Sequence, residues 1–465
     1  MNMELQTAYQ SPDAEETMNN IMGEITMNLS KETTTVIDGP VKVIIVGAGN
    51  RSMNYASFSQ RHPEQMQVVG VVDPDPLRRE HTARLYSLSE NMCFMNVEEL
   101  VSRPKMADAV INGTLDPLHV ATSLPLLRKG YDLLLEKPIG ISEQEILELY
   151  EAAKEHNNKV MICHVLRYAP FYVELQKVIE EGVIGDIIHI QTEENVDYHH
   201  MATAFVRGKF ANMEKGGSSF LMQKCCHDLD LITWFKSGIR PVKVSSFGNL
   251  SQFRAERAPD GSGTRCLTDC SIEESCIYSA KKLYVDHSLW SPYVWPRFMD
   301  GVRLSTEEKL ASLRTDNPYG RCVWRCNNDI VDHQAVLFEF EDGSTAVHNL
   351  VGATSRACRS VHISGTKGEI QGILEEGVFV IRHPQLGQGH TYTEKRVEIN
   401  VSSDMHGGGD HRLVEDFLHV VKGESTTRFS TSLGNSIIGH LAGFSADASM
   451  RTGQSIQMDW NKMKR

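Results

Sequence analysis

The sequence predicts an α/β protein with two parts. An N-terminal doubly wound parallel sheet is followed by a C-terminal α+β domain built on a large, mostly antiparallel sheet. Three observations predict it. Between residues 41 and 163, β-branched runs alternate with helical periods, the pattern of βαβ units. The first run leads into Gly47-Ala48-Gly49, a glycine turn between strand and helix. After about residue 165 the strand candidates become longer and are joined by turn residues, as antiparallel pairs require.

Val41-Lys-Val-Ile-Ile-Val46 is nearly all β-branched, as a strand buried on both faces must be. Similar runs recur at 67–72, 109–111, 131–135 and 159–163. Helical periods fall between them, at 76–85, 119–128 and 143–155. Ser142 followed three residues later by Glu145 reads as a capping box opening the last of these. Residues 170–181 read as a helix, and strands are expected at 187–192, 242–247, 335–341 and 345–350. Asp342-Gly343 sits between the last two like a tight hairpin turn. Residues 409–421 and 436–450 read as closing helices.

The length, 465 residues, exceeds one ordinary core. The expected division is an acidic, disordered leader at 1–38, a dinucleotide-binding domain at 39–164, an α+β domain at 165–455 and a tail at 456–465. Within the second domain, 253–328 looks like an insertion. It carries five of the ten cysteines and three of the five tryptophans, and its periods are unclear. Lys and Arg total 47 against 60 Asp and Glu, a net of −13, which argues against a nucleic-acid-coating or membrane-surface protein. Nearly half of that excess sits in the leader, so it says little about the site. No apolar stretch approaches the roughly 18 residues of a spanning helix. The first 40 residues lack a basic start and an apolar core, so no secretory signal is visible and a cytoplasmic protein is expected.

The glycine turn has a clear physical purpose. Gly47 permits the turn, and Gly49 lets a pyrophosphate approach the backbone of Ala48, Asn50 and Arg51 at a helix N-terminus. Ser52 stands at the third fingerprint position, where glycine is usual, so a slightly looser helix–strand contact is expected. Asp73 ends the second strand, where an acid accepts hydrogen bonds from the adenosine ribose, favouring NAD. Arg78 and Arg79 follow it and keep NADP open.

Strand 131–135 runs into Glu136-Lys137-Pro138. A strand end is where open α/β sheets present reactive side chains, and Pro directly after a Lys suggests a fixed turn, with a cis bond as one option. With this element the chain resembles the Gfo/Idh/MocA oxidoreductase family. The resemblance rests also on Gly47-Ala-Gly49, Thr114-Leu-Asp116-Pro-Leu-His119, His164-Val-Leu-Arg167-Tyr168, His227-Asp-Leu-Asp230 and Gly365-Thr-Lys-Gly368. It covers about residues 40–455, without the insertion. It implies a Rossmann domain at 39–164, NAD(P), and hydride transfer to or from a secondary alcohol of a sugar, cyclitol or sugar derivative. It implies that Lys137 and His227 are catalytic and that Thr114, Asp116, His119, Glu136 and Lys137 help hold the cofactor. It also makes a homo-oligomer plausible.

The chemistry suits those residues. Hydride leaves a carbinol carbon only as its hydroxyl proton is removed, so a base must lie within hydrogen-bond reach, and His titrates near neutrality. A Lys ammonium stabilises the developing alkoxide. One position departs from the family pattern. An Asp often stands four residues before the His; here it is Gln223, followed by Lys224. Alternatives therefore stay open: an NAD-dependent glycosidase working by transient oxidation and elimination, or a nucleotide-binding protein without turnover.

Arg167, Tyr168, His200 and Asp230 are candidate substrate residues, and Asp410, after three glycines, is expected to cap a helix. Cys225 and Cys226 read as buried packing. In the insertion, Cys266, Cys270 and Cys276 are spaced C-x3-C-x5-C, with Cys322 and Cys326 farther on. Three thiolates from one loop and a fourth from a distant segment would suit a closed zinc site. Apart from its tryptophans the insertion shows little apolar core material, so a metal staple is one way for it to stay ordered.

Overall fold

Strand β1 (Val41–Val46) has five of its six side chains buried because it lies in the middle of a sheet. It pairs in parallel with β2 (Met66–Val72) on one side and β4 (Ala109–Asn112) on the other. With β3 (Cys93–Phe94), β5 (Asp132–Leu135) and β6 (Val160–Ile162), it forms a six-stranded parallel sheet in the order β3-β2-β1-β4-β5-β6. The order reverses between β1 and β4, which opens a crevice at the carboxyl ends of the strands. The longer helices of this half are α1 (Asn50–Ala56), α2 (Pro76–Tyr86), α3 (His119–Arg128) and α4 (Glu143–Glu155). Ser142 caps α4 by accepting from the Glu145 N–H at 3.3 Å, but Glu145 reaches back to the Ile141 N–H at 2.8 Å rather than to the cap residue.

This is a computed structural model, and it describes residues 37–295, 304–387, 389–400 and 408–461. The expected leader therefore lies, but for its last two residues, outside the described residues, as do residues 462–465 of the expected tail.

The second sheet has nine strands in the order β14-β13-β12-β11-β7-β10-β9-β8-β15. They are β7 (Ile187–Asp197), β8 (Pro241–Asn249), β9 (His333–Phe340), β10 (Thr345–Thr354), β11 (Cys358–Gly365), β12 (Glu369–Ile373), β13 (Val378–Gly387), β14 (His390–Glu398) and β15 (Ile456–Gln457). All pairings are antiparallel except β7 with β10. Helices α5 (Pro170–Glu180) and α6 (Phe220–Phe235) lie in the same apolar core as this sheet. Two more helices follow, α7 (Gly409–Lys422) and α8 (Leu433–Thr452). The start of α8 contributes Leu433, Ile437 and Leu441 to the core of the first domain, while its later Ala442 and Ala446 join the second. One helix thus ties the two cores together.

Two sequence expectations change. Segment 456–461 is not a loose tail: Ile456 and Gln457 pair with β8, and buried Trp460 donates its indole N–H to the Pro241 carbonyl at 2.7 Å. The insertion does have a core. Cys266, Ala280, Leu283, Tyr284, Val294, Trp295, Leu313 and Tyr319 pack as a separate buried cluster.

Candidate cofactor and active site

Gly47 has φ of 77°, and a Cβ there would stand 2.9 Å from the backbone of Thr114. Only glycine fits that turn. At Gly49 a Cβ would meet nothing within 4 Å, and Gly49 starts α1 with no side-chain cap. Open space over an uncapped helix start fits a pyrophosphate, so Gly47, Ala48, Gly49, Asn50 and the α1 backbone are suited to hold a dinucleotide. Ser52 does not loosen the packing. It is fully buried against Gly113, where a Cβ would come within 2.1 Å of Ser52 Oγ. The glycine that closeness requires has moved to the facing loop.

Asp73 braces the same turn. Its carboxylate accepts from the Ala48 N–H at 2.7 Å and the Asp75 N–H at 2.8 Å. Arg79 donates to the Asp73 carbonyl at 2.6 Å, whereas Arg78 lies 3.8 Å from Asp75 at the surface.

The Lys137–Pro138 bond is cis. Glu136 beside it accepts from Arg51 Nε at 2.8 Å, from the Tyr55 hydroxyl at 2.7 Å and from the Lys137 N–H at 2.7 Å. Burial opposes ionisation of Glu136, but the charges of Arg51 and Lys137 and these hydrogen bonds outweigh it and hold the carboxyl below its ordinary value. Arg51 also pairs with Asp410 at 2.5 Å. The expected helix cap at Asp410 is therefore corrected: Gly408 occupies the cap position of α7, and Asp410, in its first turn, clamps Arg51. Arg51 links α1, β5 and α7, an engagement that no sequence period signals.

His119 is buried with Nδ1 2.6 Å from the Pro138 carbonyl and Nε2 3.1 Å from that of Thr114. It fastens the β4 loop to the β5 loop. Thr114 Oγ1 donates to Asn112 at 3.0 Å. Asp116 is buried nearby, and burial raises its pKa against the pull of His119 and Lys137.

Lys137 crosses to the second domain. Its Nζ donates to the Gln223 carbonyl on α6 at 2.7 Å, one helical turn before His227. His227 is buried, and its ring stands edge-on to His164 at 5.6 Å. His164 in turn packs on His440 at 5.3 Å. His440 Nε2 accepts from the Ile139 N–H at 3.0 Å, just after the cis bond. Burial and the charges of Arg167 and Lys137 push the His164 pKa well down, and burial first, then His164, lowers that of His440 to about 3. The Gln223 side-chain NH2 group is buried without a hydrogen-bond partner among the described residues.

Three expected substrate residues are otherwise engaged. Arg167 binds Asp230 through two bonds of 2.6 Å, and both are buried in the core. Tyr168 donates to Asp416 at 2.7 Å and is also buried. These are corrected to structural ties between α6, α7 and the segment after β6. Lys224 pairs with Glu194 at 3.1 Å, and Glu194 with Arg359 at 2.7 Å. Cys225 and Cys226 are fully buried.

His200 differs. Its ring nitrogens make no hydrogen bond among the described residues, and its ring stacks on Trp290 at 4.3 Å. Burial, then Lys224 and His199, push its pKa well down, and Lys137 adds to the shift. Burial raises the pKa of Tyr293, three residues after Trp290, against the pull of the Lys137 and Arg51 charges. The insertion thus packs against His199 and His200. Sequence reasoning missed it, although the aromatic run Trp290-Ser-Pro-Tyr293-Val-Trp295 was a visible signal.

Cys266, Cys270, Cys276 and Cys322 are among the residues that line one small cavity. Among the described residues, only Cys225, Asp228 and His348 bring three ligand atoms within 4.8 Å of one another. That trio is buried, and its Asp228 is already paired with Arg359 at 3.2 Å.

The six-stranded parallel sheet and the second, mostly antiparallel sheet agree with the proteins this chain resembles. The oxidoreductase family model with an NAD-binding Rossmann fold matches residues 41–164, and the GFO/IDH/MocA C-terminal domain matches 172–267. The chain belongs to the Gfo/Idh/MocA oxidoreductase family. It is an NAD(P)-dependent oxidoreductase. YteT of Bacillus subtilis, named as an oxidoreductase, is 25% identical over 387 residues, 80% of this chain and 87% of that one. Two solved structures share the fold. The WlbA dehydrogenase of Chromobacterium violaceum, in complex with NADH and UDP-GlcNAcA, has a TM-score of 0.63 at 15% identity, covering 93% of this chain and 99% of that one. The myo-inositol 2-dehydrogenase of Lactobacillus plantarum has a TM-score of 0.59 at 16% identity, covering 90% and 100%. Among the described residues no helix is long and apolar enough to cross a membrane.

Proposed function

We propose that this family member moves a hydride between NAD and a secondary alcohol on a polyhydroxylated ring, a sugar, cyclitol or sugar derivative. The observation that carries it is the Lys137 ammonium, held at the end of β5 and hydrogen-bonded to the helix that bears His227. Bound nicotinamide would accept or return the hydride. The chain's own residues supply the rest. Lys137 uses one of its three N–H groups on Gln223 and keeps two for the substrate oxygen, whose negative charge it stabilises as the proton leaves. His227 takes that proton. His200 and the unpartnered Gln223 amide group donate to or accept from neighbouring hydroxyls, and Trp290 and Tyr293 close the wall against water. A polar, aromatic-lined site of this kind suits a ring bearing several hydroxyls.

Asp73 favours NAD. Its carboxylate at the end of β2 repels a 2′-phosphate, and Arg79 is occupied with the Asp73 carbonyl. The ten cysteines form no disulfide among the described residues, which suits a reducing compartment such as the cytoplasm. Copies of the chain associate through the outer face of the large sheet, where Phe247 is 74% and Leu337 51% exposed on adjacent strands.

The test is a panel of polyols and sugars, with their lactones and ketoses, followed at the reduced-nicotinamide absorbance with each cofactor. Steady NADH formation from a polyol supports the proposal. Release of a leaving group from an aryl glycoside without net NADH would replace it with the glycosidase reading. Light scattering on a sizing column tests the association.

A further inference from the structure

We propose that Cys266, Cys270, Cys276 and Cys322 together bind one zinc ion, at a structural site separate from the redox centre. Two of the ligands are brought together by backbone. Arg265 and Arg321 form an antiparallel bridge, with the Cys266 N–H on the Gly320 carbonyl at 3.0 Å and the Cys322 N–H on the Thr264 carbonyl at 2.9 Å. The other two come from a tightly wound loop. Asp269 folds it back by accepting from the N–H groups of Thr264 and Arg265, and a Cβ at Gly263 would stand 2.3 Å from Asp269.

The sulfurs are arranged as acceptors. Cys276 Sγ accepts from the Tyr278 N–H at 3.3 Å, two residues on. Cys266 Sγ accepts from Arg207 Nη2 at 3.4 Å. Thiols are weak acceptors and thiolates are strong ones, so this pattern suits metal-bound sulfur. The four side chains line a cavity of about 10 Å³. That is room for about one water-sized occupant.

Arg207 supplies an independent argument. It is buried, and among the described residues its guanidinium donates to the Arg321 and Tyr278 carbonyls, the Tyr284 hydroxyl and Cys266 Sγ. No carboxylate pairs with it among the described residues. A buried cation needs a counter-charge. Four thiolates around Zn²⁺ carry a net charge of −2, so binding, with release of four protons, supplies it.

Without metal no three of these sulfurs lie within 4.8 Å of one another. A tetrahedral Zn–S distance of about 2.3 Å draws them closer by side-chain rotation. Cys326 is excluded, because its thiol donates to the Cys322 carbonyl at 3.1 Å and does not line the cavity. The site would fix the loops beneath Trp290 and Tyr293 and so support the substrate wall.

Metal analysis of the purified full chain is expected to find about one zinc per chain, retained in Cys326→Ser and lost in Cys270→Ser and Cys322→Ser. Exchange with cobalt(II) is expected to give the visible bands and thiolate charge-transfer absorption of a tetrahedral thiolate site, in the wild type and in Cys326→Ser. A wild-type protein that neither contains zinc nor takes up zinc or cobalt overturns the proposal. So does iron in place of zinc, disulfides among the four cysteines, or loss of the metal in Cys326→Ser with the fold intact by circular dichroism.

Discussion

Lys137 Nζ donates to the Gln223 carbonyl at 2.7 Å, so the cation at the end of the cofactor domain is anchored on the helix that carries His227. Removing it takes away the charge that faces a developing alkoxide while leaving the glycine turn untouched. Lys137→Ala is expected to lower kcat by about a hundred- to ten-thousand-fold. The NADH dissociation constant, read by fluorescence titration, should change little. Near-wild-type kcat in this variant would contradict the assigned role.

The Gly47 turn makes a cofactor prediction. Gly47→Ala forces a Cβ to within 2.9 Å of the Thr114 backbone at a positive φ. Neither the backbone atoms nor the left-handed conformation yields cheaply. The variant should lose about 1–3 kcal/mol of stability in denaturant titration and bind NADH weakly. Gly49→Ala meets no protein atom. It should keep its stability and lose only cofactor affinity, since its methyl group intrudes where the pyrophosphate sits.

The Glu136 clamp predicts an acid limb. Its folded pKa is depressed, so its contribution is present above the unfolded carboxyl value of about 4.3 and is lost as pH falls through the folded value. Glu136→Gln leaves Arg51 without one carboxylate and should cost about 3 kcal/mol at neutral pH, as for one partner of a buried pair. The gap between wild type and variant should shrink below about pH 4. A gap that stays constant with pH would show that the carboxylate charge is not the source.

The buried histidines act higher on the pH scale. The His440 pKa is lowered by burial to about 3 and that of His348 to about 4. The unfolded chain takes up protons near pH 6.5 where the folded one does not, so stability is complete above about 6.5 and declines toward the folded values. Each such group contributes a slope of up to about 1.4 kcal/mol per pH unit. In urea titrations between pH 5 and 7, His348→Gln should be less steep than wild type.

Much of this was legible in the sequence, because local rules fixed it. Buried parallel strands need continuous β-branched runs, so Val41–Val46 and the helices 119–128 and 143–155 have the bounds expected of them. Strands β11 to β14 were not anticipated. Their alternation is interrupted by Gly365, Gly368, Gly372 and Gly377, and their pairing is decided by neighbours distant in sequence. The misread substrate residues share a cause. Arg167, Asp230 and Tyr168 look like loop and helix polar groups, and only the tertiary fold shows that they satisfy one another or Asp416 inside the core. The Arg51–Asp410 pair joins positions 359 residues apart, a separation at which no period or spacing carries information.

The insertion's part in substrate binding gives the last prediction. Trp290 Nε1 donates to His199 Nδ1 at 3.0 Å, and its ring covers His200. Asp197 accepts from the His200 N–H at 2.7 Å, so the indole and the carboxylate at the end of β7 hold the histidine pair in one place. Trp290→Ala removes the stacking surface and frees His200 to rotate, but it touches neither Lys137 nor the glycine turn. The expected result is a KM several-fold higher, with cofactor affinity unchanged and kcat altered less than KM, since the lost contact is made to substrate and transition state alike. Trp290→Phe keeps the ring and loses only the indole hydrogen bond, and it should recover most of the loss. If Trp290→Ala instead weakens NADH binding as much as substrate binding, the insertion supports the cofactor cleft rather than the substrate wall.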